Sequence, residues 1–165
     1  MKNLLQTQVA ASLIKSGLAS VLALFIYAPM AMADDVGMPV SIPKAYTAEC
    51  ASCHTAYAPG LLPAKSWQSI MGTLDKHYGS DASIDPKALK EISAWLQTYG
   101  ASARKFAEVP PENRITNSEW FNRKHREIKK DVWLRASIKS RSNCMACHQQ
   151  ASKGDFDDDS VRIPK

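Results

Sequence analysis

Beyond a strongly apolar stretch at the N-terminus, apolar side chains recur at helical spacing. Trp67, Ile70, Met71, Leu74 and Tyr78 follow the three- and four-residue steps of a single helix face. Leu89, Ile92, Trp95, Leu96 and Tyr99 repeat the pattern behind Asp85 as N-cap and Pro86 at the first helical position, with Gly100 as the stop. Between Glu119 and Val132, a third stripe runs through Phe121, Ile128 and Val132; Thr116 or Ser118 caps it, and Glu119 offers a capping box with Thr116. Ala58 to Pro63 and Gly79 to Ser83 read as a loop and a turn from their prolines and glycines. No segment alternates convincingly, so the expected fold class is all-α, with short helices and long loops.

The N-terminal stretch is of another kind. Lys2 and Lys15 are the only charges before Asp34, and Ser16 to Ala33 read SGLASVLALFIYAPMAMA. A basic start, an apolar run and a small-residue ending at Ala31, Met32 and Ala33 form the pattern of a secretory signal peptide cleaved after Ala33. The alternative is an uncleaved membrane anchor, which Pro29 and the Ala-Met-Ala site disfavour. Cleavage makes the protein periplasmic. It also takes two lysines from 21 basic residues against 16 acidic ones, leaving +3, too little to suggest nucleic-acid binding.

All four cysteines lie in two copies of one pattern, Cys50-Ala51-Ser52-Cys53-His54 and Cys144-Met145-Ala146-Cys147-His148. At this composition roughly 0.002 such patterns arise by chance, so the pair is chemical in origin. Two thiols three residues apart on one turn can add to the two vinyl groups of a haem, while the next residue turns its imidazole to the iron. Each motif therefore implies one covalent haem c, attached through Cys50 and Cys53 or through Cys144 and Cys147. A zinc cluster needs no His directly after the second Cys, and a thioredoxin-like pair belongs in a βαβ unit that this chain lacks.

The sixth coordination position decides whether such a protein carries electrons or binds small molecules. His77 falls three residues after Leu74, and His125 four after Phe121, each on an apolar helix face. A single inward-facing His is commonly a core residue. Two haems and two remaining inward-facing His make the ligand role the better reading. His54 to His77 and His125 to His148 are both 23 residues apart, in reversed order, which favours the pairs His54 with His77 and His125 with His148; crossed pairing is the alternative. Met71 is the competing axial ligand, although its place beside Leu74 and Tyr78 suits packing. The expected centres are six-coordinate, low-spin and bis-His.

These elements divide the chain into a leader (1–33), an N-terminal haem-binding half (34–100), a linker with Pro110-Pro111 (101–114) and a C-terminal haem-binding half (115–165). Halves of roughly 65 residues are marginal on protein core alone, so the porphyrins are expected to supply much of the interior, against Trp67, Leu74, Trp95, Phe121 and Ile128. Eight basic residues between Arg123 and Arg141 read as a solvated helix face or as a docking patch for an acidic redox partner or haem propionates. The acidic tail from Asp155 to Asp159 reads as solvated.

The segments TAECASCHTAYAPGLLPAKSWQSIMGTLDKHYGSDASI, RITNSEWFNRKHREIKKD and SNCMACHQQASKGDF resemble the bacterial dihaem cytochrome c family, small periplasmic electron carriers, over most of residues 46 to 156. The resemblance implies that His77, in its L-x-x-H-Y-G context, and His125, in W-F-x-R-x-H, are distal ligands. It also implies a membrane cytochrome b as electron donor and an oxygen-binding monohaem cytochrome c as acceptor. Val132 to Ser142 departs most from the family pattern, which leaves the packing and docking role of that stretch open. The reading is an electron-transfer protein and not an enzyme. The rival is a dihaem enzyme or gas binder with one open or displaceable axial site.

Overall fold

Residues 36–102 and 106–165 of the computed structural model are described here; the leader reading for residues 1–33 lies outside them. Five α-helices occur among the described residues: α1 (Lys44–Cys50), α2 (Ala64–Met71), α3 (Pro86–Tyr99), α4 (Glu119–Lys124) and α5 (Lys130–Trp133). Short 3-10 turns and extended loops join them. The described residues contain no β-strand, only isolated bridges between Pro63 and Ala101 and between His77 and Ser80. The all-α expectation holds.

Helix α3 is the longest because its ends are well terminated. The Asp85 carboxylate accepts from the backbone N–H groups of Lys87 and Ala88, Pro86 occupies the first position, and the chain leaves at Gly100. A Cβ at Gly100 would lie 2.8 Å from Ala64 Cα, so glycine lets the end of α3 meet the start of α2. Between these helices lies the first core cluster: Tyr46, Leu62, Trp67, Ile70, Met71, Ile92, Trp95 and Leu96. Its buried indoles are satisfied: Trp67 donates to the Pro59 carbonyl at 2.7 Å and Trp95 to that of Ser41 at 2.8 Å. A second cluster, Ala58, Leu61, Phe106, Trp120 and Phe121, gathers around α4. Met38, Tyr57 and Ile115 pack against both clusters.

Two helix expectations need correction. The stripe from Trp67 to Tyr78 is not one helix: α2 ends at Met71, and a 3-10 turn over Leu74–Lys76 carries the chain to His77. Gly72 and Thr73 break the run, with Gly72 closing α2 onto the Gln68 carbonyl. The stripe from Glu119 to Val132 is likewise divided. Helix α4 stops at Lys124, His125 is its C-cap, and α5 starts at Lys130. Of the two candidate caps Ser118 serves, its hydroxyl accepting from the Phe121 N–H at 3.1 Å. Trp67, Trp95 and Phe121 are buried as expected, whereas Leu74 and Ile128 are only half-buried.

Candidate haem-binding sites

The first site is assembled from the end of α1 and the turn after α2. Cys50 closes α1, and Cys53 and His54 follow in the next turn. The Nδ1 of His54 lies 2.8 Å from the Thr55 carbonyl, so Nδ1 carries the proton and Nε2 is left as a ligand atom. Opposite it, His77 sits at the end of its 3-10 turn and is clamped by a tight reversal, Ser80 N–H donating to the His77 carbonyl at 3.0 Å. Tyr78 and Gly79 both take positive φ, 49° and 96°, to make that reversal. Tyr78 is held there by its hydroxyl, which donates to the carbonyls of Glu112 and Asn113, and by the Arg114 guanidinium 4.0 Å over its ring. The His54 and His77 rings face each other with centroids 6.2 Å apart and planes 20° apart.

The second site repeats this logic with different elements. The 3-10 turn over Cys144–Ala146 presents Cys147, and the His148 N–H closes the turn on the Cys144 carbonyl at 2.8 Å. His125 leaves the end of α4 and doubles back on it. Its backbone N–H and its Nδ1 both approach the Phe121 carbonyl, at 3.0 and 2.9 Å, and its ring stacks on Phe121 at 4.0 Å. Nε2 again keeps its lone pair and could bind a metal. The rings of His125 and His148 lie 6.1 Å apart with planes at 76°. Around them is a cavity of about 250 Å³ bordered by Trp120, Phe121, Trp133, Ile138 and Phe156 and by both cysteines.

Asp157, Asp158 and Asp159 of the tail are exposed, as read, but the residues beyond them close this cavity. Val161 and Ile163 line the cavity with Asp158, and the chain is tied down by Arg162 N–H to the Cys147 carbonyl, 3.0 Å, and by Arg135 to the Pro164 carbonyl, 2.6 Å. A cluster of four acids masked the two apolar residues beyond it. Asp157 caps the 3-10 turn over Asp158–Ser160.

Each pair of rings fits one iron between two imidazoles. With a metal to nitrogen bond of about 2 Å and about 1 Å more to the ring centre, two opposed imidazoles have centroids about 6 Å apart. The electrostatics agree. Burial first, then the neighbouring imidazole, lowers the pKa of His77 and of His148; burial also lowers that of His125, with Arg141 acting in the same sense and the Phe121 carbonyl against it. Neutral imidazoles keep their lone pairs for a metal. Nδ1 of His148 is buried with no hydrogen-bond partner. The cysteines are free thiols, and burial raises those of Cys50 and Cys144 to about 11. Among the described residues no three His, Cys, Asp or Glu side chains converge as a metal cage. The donor set suits haem with covalent thioether links, which needs two opposed imidazoles and two thiols within one motif.

Comparison with known proteins points the same way. No curated protein matches the chain. Among solved structures, a diheme cytochrome type c from Shewanella baltica OS155 is 40% identical, with 74% of this chain and 95% of that one covered and a TM-score of 0.66. A diheme cytochrome c from Rhodobacter sphaeroides is 35% identical, with 73% of this chain and 100% of that one covered and a TM-score of 0.64. The family model for dihaem cytochrome c matches residues 46–156. The chain therefore belongs to the dihaem cytochrome c family, whose cofactors are two haem c groups.

Proposed function

We propose that this protein is a periplasmic electron carrier whose two haems are each closed by two histidines. Haem-based electron transfer follows from its family; the finer assignment rests on the paired imidazoles, 6.2 and 6.1 Å apart, one pair at each C-x-x-C-H motif. Cys50 and Cys53 attach one haem and His54 and His77 ligate it; Cys144 and Cys147 attach the other, with His125 and His148 as ligands. The pairing joins each motif to the His that lies 23 residues away in sequence. When bound, haem supplies an iron that alternates between ferric and ferrous states.

The polypeptide contributes fixed ligands and a partly dry surround. Hydrogen bonds from Nδ1 hold the His54 and His125 rings in one tautomer and orientation, so coordination need not rearrange between oxidation states. Phe121, Trp133 and Phe156 enclose the second pair, which keeps water from competing for the metal. With both axial positions taken, no group is left to bind and activate a substrate, and the protein acts as a carrier and not as an enzyme.

The location follows from the leader reading. No helix among the described residues is long and apolar enough to cross a membrane. The proposed partners are a membrane cytochrome b as donor and a small monohaem cytochrome c as acceptor. Of the basic run, Arg135 and Arg141 are used internally, whereas Arg123, Lys129, Lys130 and Lys139 are exposed and suit an acidic partner surface. Carbon monoxide added to the reduced protein tests the closed sites. An unchanged absorption spectrum is expected, and stoichiometric binding would overturn the proposal in favour of an open-site enzyme or gas binder.

A further inference from the structure

Tyr57 lies between the two sites and touches both. Its ring stacks on that of His54, with centroids 4.9 Å apart and planes 30° apart. At the other end its hydroxyl donates to the Ser142 carbonyl at 2.7 Å, across 85 residues of sequence. Ser142 stands two residues before Cys144. The Tyr57 backbone is itself fixed, because its carbonyl accepts the Tyr46 hydroxyl, and Tyr46 is packed on Trp95 at 4.6 Å. The ring is half-buried and packs against both core clusters.

We propose that Tyr57 is the positioning residue that couples the two haem centres, holding the His54 imidazole at a set distance from the Cys144 attachment point and giving electrons a contact path between them. This rests on the proposed electron-transfer function. One electron leaves the reduced His54–His77 centre and arrives at the oxidised His125–His148 centre, or the reverse; no bond is broken and no proton is transferred. Tunnelling slows exponentially with separation, and a path of stacked ring and hydrogen bond is better than a gap of equal length. A single hydroxyl joining segments 85 residues apart therefore acts on both separation and path.

The test compares native protein with Tyr57→Phe and Tyr57→Leu, each purified with both haems attached. A photoexcited ruthenium complex delivers one electron to the ferric protein, and equilibration between the centres is followed by absorption. Phe keeps the stacked ring and loses only the hydroxyl. We expect equilibration to slow several-fold in Tyr57→Phe and further in Tyr57→Leu, with the low-spin electron paramagnetic resonance signal of the His54 centre altered in Tyr57→Leu alone. Tyr99→Phe, at an exposed tyrosine tilted against Trp95, serves as control and should equilibrate at the native rate. Native rates in both Tyr57 variants would overturn the proposal while leaving the electron-transfer reading intact. A native protein with a high-spin centre, or one that cannot be reduced and reoxidised reversibly, would instead sink the electron-transfer reading.

Discussion

The imidazole planes of His125 and His148 stand 76° apart, whereas those of His54 and His77 lie within 20° of each other. The difference has a local origin. His125 is turned back onto its own helix by the Phe121 carbonyl and lies nearly parallel to the Phe121 ring, while His77 is set by a tight reversal at Tyr78 and Gly79. The two centres, with the proposed ligands the same in kind, thus differ in the geometry of the imidazole pair.

That difference is expected to be visible in the ferric protein. Parallel imidazoles lift the degeneracy of the iron orbitals that point at them, and crossed imidazoles leave it nearly intact. Electron paramagnetic resonance should therefore show two low-spin signals of about equal weight, one rhombic and one strongly axial with a large principal g value. A single rhombic signal accounting for all the iron would contradict the 76° arrangement.

Removing one distal ligand should open one centre and leave the other closed. His77→Ala is expected to convert half of the haem to high spin and to let the reduced protein bind carbon monoxide at that centre only; His125→Ala should do the same at the other. The two variants are distinguishable, because His77→Ala should spare the axial low-spin signal and His125→Ala the rhombic one. A variant in which both centres change would show that the two centres are not closed independently. Spectra unchanged in both variants would count against His77 and His125 as ligands.

Arg141 stands beside the second centre. Its Nη2 donates to the Asn122 side chain at 2.6 Å, its guanidinium lies 4.9 Å from the Phe121 ring and 5.6 Å from that of Trp133, and its Nε is buried without a partner. A positive charge there disfavours the ferric state, which carries one more positive charge than the ferrous. Arg141→Gln should lower the potential of that centre by about 1 kcal/mol, or about 40 mV for a one-electron couple, and leave the other potential in place. A spectroelectrochemical titration resolving both potentials checks this, and an upward shift would contradict it.

How far the sequence reveals these sites depends on which residues carry them. The attachment motifs are legible because their chemistry is rigid: the C-x-x-C-H spacing is dictated by the haem, and the two other His of the chain, His77 and His125, lie opposite the two motif His in the fold. Helix α3 is legible because its cap, its proline and its closing glycine are all local signals. The ends of α2 and α4 were missed for different reasons. Gly72 marked the first, but the apolar period runs through it, as Leu74 and Tyr78 stay in phase after the chain has left the helix. The second carries no glycine or proline; α4 ends at Lys124 with His125 as its C-cap, whose Nδ1 shares the Phe121 carbonyl with its own backbone N–H. Tyr57 and Arg141 gave no signal, because their partners are distant in sequence or lie on another element.

Gly154 joins the N-terminal lead to the second motif. It takes φ of 82°, and a Cβ there would lie 2.5 Å from Met38 N and 2.9 Å from Gly37 Cα. Gly154→Ala therefore adds left-handed strain to a clash with backbone that has no flexible end to move. A loss of about 2 kcal/mol is expected, from denaturant unfolding followed by far-ultraviolet circular dichroism. Gly37→Ala is the comparison, since a Cβ there meets nothing within 4 Å, and it should change little. Equal stability of the two variants would show that the lead does not pack against Gly154.

The second site is the more dependent on its cofactor. Its core cluster has five buried residues, and beside them the chain surrounds a cavity of about 250 Å³. That space is bordered mainly by apolar side chains, which in the absence of haem lack the contacts that a packed core would give them. Without haem the surrounding residues must collapse or admit water. Replacing Cys144 and Cys147 by Ser, in a protein that keeps its first haem, should thus abolish amide hydrogen-exchange protection over α4 and the tail. Protection in α2 and α3 should persist, because their cluster is filled by side chains alone. Native protection of α4 in that variant would show that Trp120, Phe121 and their neighbours suffice as a core.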